Sequence, residues 1–116
     1  MLLHDKAFKG VIKYLKLKNY EILDEDWDGF LVAFDNENGA IVFVNVIVSC
    51  DDLHEVTSNG AIPRSEFEMA MCHFFECKED VAADRDVRYD VIIMSVSSGN
   101  RGIIKHHVQA DAVLED

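Results

Sequence analysis

Apolar positions along the chain follow two rhythms. Between Ala40 and Val48 eight of nine residues are apolar, and Val and Ile dominate. A run this short and this β-branched predicts a strand buried on both faces. Alternation sends Ile41, Phe43, Asn45 and Ile47 to one face and Val42, Val44, Val46 and Val48 to the other. Asn45 is then a polar group in the middle of a predicted core, where it needs hydrogen-bond partners. Gly29–Phe34 predicts a second strand, and Asp35–Gly39 a turn that makes the two an antiparallel hairpin. Tyr20–Leu23 alternates briefly and predicts a short strand, followed by an acidic turn over Asp24–Asp28. Val87–Val96 and Gly102–Val108 predict a further pair of strands, joined by the turn residues Ser97–Arg101.

The second rhythm is helical. In residues 5–18, Phe8, Val11, Ile12 and Leu15 share one side of a helix turning about 100° per residue, with Asp5 as its N-cap. Asn19 is suited to the left-handed conformation that ends it. Phe67, Ala70, Met71 and Phe74 mark a second helix over residues 63–78, with Pro63 in its first turn and Ser65 with Glu68 as a capping box. Residues 49–62 lack periodicity and read as a long surface loop, and residues 111–116 as a flexible tail. Helix, three strands, helix, two strands is an α/β order, a mixed sheet of about five strands flanked by two helices.

The length of 116 residues suits one domain over 1–116 with a single core. No apolar run approaches the ~18–20 residues of a membrane span, and the N-terminus has no signal-peptide pattern. Three cysteines without framework spacing suggest free thiols and a cytoplasmic protein with no membrane partner. Cys72 and Cys77 stand about 140° apart on their helix, which disfavours a shared zinc and predicts packed thiols.

Charge changes this picture more than composition does. The net charge of −11 repels polyanions on average, so a nucleic-acid site requires a local basic patch. Five of the eleven basic residues lie in the first eighteen positions, and residues 19–63 contain ten acids with no Lys or Arg. Lys6, Lys9, Lys13 and Lys16 form a stripe opposite the apolar side of the first helix. That stripe reads either as a solvated face or, with Arg64 beside it, as a phosphate-contacting ridge. Four acids around Trp27 could hold a hard cation, although their spacing is that of a solvated turn and not of an EF-hand loop. His106 and His107 point to opposite faces of their strand, one expected exposed and the other packed or hydrogen-bonded.

Four stretches, with their spacing, resemble the YraN-like family of predicted endonucleases: Tyr14-Leu15 leading to Asn19–Leu23, then Ile41–Val46, Arg88–Ile92 and Ile104–Val108. The resemblance implies the restriction-endonuclease-like PD-(D/E)XK fold, related to archaeal Holliday-junction resolvases. It also implies a divalent-metal site made of an Asp before the hairpin turn, a Glu and a Lys two residues apart on the next strand, and a Glu on the first helix. Here those places fall to Phe30, Asn45, Ile47 and a position near Phe8. Asn45 offers a neutral oxygen and Ile47 cannot assist a water, so the resemblance extends to the fold and not to the catalysis.

The expectation is a catalytically inactive nuclease-like domain that needs no cofactor. It would bind nucleic acid or a protein partner, with a homodimer as a further option. The alternative is a Mg²⁺- or Mn²⁺-dependent nuclease with a non-standard set, Asp28, Asp90 and His106.

Overall fold

A computed structural model describes residues 3–49, 62–82, 85–96, 102–110 and 114. Helix α1 (Leu3–Leu17) leads into strands β1 (Tyr20–Trp27), β2 (Phe30–Asp35) and β3 (Ala40–Ser49). Helices α2 (Arg64–Cys77) and α3 (Glu79–Ala82) precede β4 (Asp86–Val96) and β5 (Gly102–His107). The five strands form one sheet in the order β1-β2-β3-β4-β5. All neighbours are antiparallel except β3 and β4, whose parallel pairing runs without interruption from Ala40–Asp86 to Ser49–Ser95. A parallel pair needs a crossover, and α2 lies in it.

The strand alternation read from the sequence divides the core into two layers. On one face α1 lays Ala7, Val11 and Leu15 over Leu31, Ala33, Val42, Val44, Ile92 and Met94. On the other α2 lays Ala70 and Phe74 over Phe30, Val32, Ile41, Phe43, Tyr89, Val91 and Ile93. β3 is thus covered on both sides, which is why its run is almost wholly apolar. Among the described residues no helix is long and apolar enough to cross a membrane.

Several expectations need correction. The acids Asp24, Glu25 and Asp26 belong to β1 and not to a turn, because the strand continues through two register irregularities to Trp27. The turn is the two-residue Asp28-Gly29, with φ of 51° and 90°, the left-handed pair that an Asp-Gly hairpin provides. β1 is an edge strand, so outward acids and bulges are tolerated there and guard the edge against further pairing. Asp5 lies inside α1, which begins at Leu3, and so is not at the N-cap position. Pro63 stands before α2 with no side-chain cap, so Ser65 and Glu68 form no capping box. Asn19, with φ of 69°, ends α1 as expected.

Cys72 and Cys77 are free and exposed, not packed, because the buried side of α2 is narrow. Of the expected tail, only Leu114 is among the described residues, and it packs into the core cluster that also holds Ala110. The expected loop over 49–62 lies outside the described residues except at its ends, Ser49 in β3 and Ile62.

Candidate functional site

The positions that the family resemblance assigns to catalysis lie in the α2 layer. Phe30 is buried among rings, edge-on to Phe43, Phe67 and Tyr89 with centroids 6.0–6.4 Å apart. Ile47 packs against the same cluster. Asn45 is half-buried, and its amide Nδ2 donates to the Tyr89 hydroxyl at 3.2 Å. Burial raises the Tyr89 pKa, and the bond from Asn45 offsets this only in part. Phe8, on α1 itself, packs in the opposite layer. A hard divalent cation needs anionic oxygens, and these residues supply one neutral amide oxygen and hydrocarbon. This donor set does not fit the metal that the resemblance implies.

The polar chemistry lies on the other face, where the sheet meets the end of α1. Arg88 and Asp90 sit two residues apart on β4, so both point toward α1. Both are buried, as is Asp35 at the end of β2. The Arg88 guanidinium donates from Nε to Asp90 Oδ1 at 2.8 Å and from Nη2 to Asp90 Oδ2 at 3.0 Å. It also donates from Nη1 to Asp35 Oδ2 at 2.9 Å and from Nη2 to the Tyr20 hydroxyl at 2.7 Å. His106 closes the group, with Nε2 at 2.7 Å from Asp90 Oδ2 and Nδ1 at 3.0 Å from the Tyr14 hydroxyl. An ionised carboxylate only accepts, so Nε2 carries the proton, and a neutral His106 accepts from Tyr14 through Nδ1.

The two carboxylates are saturated. Asp90 accepts from Arg88 Nε and the Gln109 N–H on one oxygen, and from Arg88 Nη2 and His106 on the other. Asp35 accepts the N–H groups of Glu37 and Asn38 on one oxygen, and the Asn38 amide and Arg88 on the other. Burial pushes the Asp90 carboxyl up, but the bonds from His106, Arg88 and the Gln109 N–H outweigh it and hold it below the usual carboxylate range. Asp35 behaves alike: bonds from Asn38, Arg88 and the backbone override its burial. Burial opposes the Arg88 charge, yet Asp90 and Asp35 raise its pKa above the ordinary arginine value. Burial raises both tyrosine pKa values, with Asp90 adding to the effect at Tyr14 and Arg88 opposing it at Tyr20. With about four acceptor sites on each carboxylate already used, neither has one left for a metal or a reacting water.

The non-standard set is therefore only partly assembled. Asp90 and His106 are bonded, but Asp28 lies on the other side of the sheet, with its carboxylate 3.0 Å from Nδ1 of His73 on α2. His107 also differs from expectation. Neither histidine is exposed, and His107 Nε2 is buried without a partner among the described residues. Burial lowers the His107 pKa, reinforced by His106 and Lys105.

Lys6, Lys9, Lys13 and Lys16 are all exposed on α1, and none is held in an ion pair among the described residues. Arg64 begins α2, the helix on the opposite face, so it does not join them. The residues that the sequence reading missed are Arg88, Asp35, Tyr14 and Tyr20. The one local signal was an Arg and an Asp at i, i+2 in a strand otherwise built to be buried. Between this chain and protein-family models, curated proteins and solved structures, comparison finds no match.

Proposed function

We propose that the chain is an interaction module on a nuclease-like α/β scaffold, without nuclease chemistry of its own, that engages nucleic acid through Lys6, Lys9, Lys13 and Lys16. The observation that carries this reading is the segregation on one helix of four exposed lysines, none of them in an ion pair among the described residues, in a chain with net charge −11. They span about 15 Å along α1 and fall within about 80° of arc, a ridge that can follow a phosphate backbone. Screening shortens the reach of the acidic remainder to about 10 Å at moderate salt, so the local ridge outweighs the net charge at contact. The absence of catalysis is inferred from Phe30, Asn45 and Ile47, whose side chains replace charge with packing. The set Asp28, Asp90 and His106 is a weaker basis for an enzyme, since Asp28 lies apart and Asp90 is saturated.

The test is to incubate the purified protein with single- and double-stranded DNA and RNA in Mg²⁺ or Mn²⁺. The expected result is retarded, intact nucleic acid. Metal-dependent cleavage that Asn45→Ala abolishes would overturn the reading.

A protein partner is the second reading, and the β5 edge favours it. Ile103 and Val108 are 53% and 52% exposed on or just beyond that edge, and β5 pairs with β4 without a register shift. Self-association there would extend the sheet, and light scattering would show a dimer.

A further inference from the structure

A cleft of about 410 Å³ opens where α1 ends, lined by Tyr14, Lys18, Tyr20 and His106 together with Glu37 and Asn38. We infer that this cleft receives one unpaired nucleotide of a strand lying along the α1 lysine ridge, its base against the rings of Tyr14 and Tyr20 and its phosphate toward Lys18. The inference rests on the ridge reading above, since the ridge is what brings a polyanion to the cleft.

Three observations carry it. First, the ring surfaces are held in place from behind. Tyr14 and Tyr20 are tied through their hydroxyls to His106 and Arg88, which are themselves bonded to the buried Asp90. The His106 ring lies 5.7 Å from Tyr14 and 5.9 Å from Tyr20, centroid to centroid. A recess with rings fixed by buried ion pairs loses little freedom when a flat ligand enters. Second, a cation stands on the cleft wall. Lys18 lies just beyond the end of the helix that carries the ridge, and it lines the cleft with Tyr14. Third, the chemistry of the walls suits a nucleotide: tyrosine rings for a base, a cation for its phosphate, and the Glu37 carboxylate and Asn38 amide for a base edge. A duplex keeps its bases stacked inside and cannot offer one to a recess, so an unpaired strand is the form required.

The experiment compares a short single strand with the duplex of the same sequence, by fluorescence anisotropy and by NMR of the tyrosine and histidine rings. The single strand is expected to bind about ten-fold tighter than the duplex and to shift the Tyr14, Tyr20 and His106 resonances. Lys18→Glu, a surface change that leaves the buried network intact, should lower single-strand affinity selectively. Tyr20→Ala should remove the preference for the single strand if the variant folds. Equal affinity for both forms, or single-strand affinity unchanged by Lys18→Glu, would overturn the inference while leaving the ridge reading standing. Loss of all binding at low salt would remove both. If adenosine monophosphate alone shifts the same rings and no strand does, the cleft serves a free nucleotide and the strand inference is overturned.

Discussion

Asn45 and Tyr89 stand on neighbouring parallel strands, and the amide of one donates to the hydroxyl of the other across 3.2 Å. This bond gives a purpose to a polar residue in the middle of an otherwise apolar strand. It ties Asn45 to the α2-side packing through Tyr89, whose ring lies against those of Phe30 and Phe67. Replacing Asn45 with Leu is expected to cost about 1 kcal/mol, the net worth of one such bond. Urea unfolding measures it. Asn45→Glu should destabilise further and produce no metal-dependent cleavage, because a second and third anionic ligand are still missing.

Arg88 neutralises two buried carboxylates at once, so its loss should be the most damaging single change in the α1 layer. Arg88→Met leaves Asp35 and Asp90 charged and without their main partner, which typically costs about 3–5 kcal/mol. Stability of this variant should partly recover on acidification, since protonated carboxyls no longer need the guanidinium. Unfolding curves taken at neutral and acidic pH distinguish this from a loss of packing, which acid would not repair.

Below neutral pH the stability of the native protein has two windows. The folded pKa values of Asp35 and Asp90 are held below the ordinary 3.8, so the stability they contribute is complete above that value and is lost as pH falls through their folded pKa values. His107 is depressed from 6.5, so below that value the unfolded chain takes up a proton that the folded chain resists, and stability falls until the folded pKa is reached. Asp90→Asn should remove part of the acid window, and His107→Gln the upper one. Thermal melts across pH test each separately.

The sequence made the layered α/β frame legible because β3 and the two helices carry strong periodicity. Alternation alone assigns Ile41 and Phe43 to one face and Val42 and Val44 to the other. The extent of β1 was not legible, since Asp24, Glu25 and Asp26 look like a turn and only pairing with β2 at the sheet edge makes them strand. The buried polar network was hidden for another reason. Tyr20, Asp35, Arg88 and His106 come from four different strands, and each has an innocuous local reading as a strand start, a turn residue or a packed histidine. Their meeting is set by strand order, which no short window of sequence encodes. Arg64 shows the reverse case, since the charge that suggests a place beside the lysines sits on the helix across the sheet.

The most direct test of the central claim is the salt dependence of nucleic-acid affinity, measured for the native protein and for a variant with Lys6, Lys9, Lys13 and Lys16 changed to Glu. A ridge that contacts up to four phosphates predicts a slope of log K against log salt near −3 for single strands, about −0.7 per contact. The four-fold variant should keep its fold, since all four side chains are exposed, and should lose binding. No binding at low salt, or a slope and affinity unchanged by the four reversals, would contradict the account.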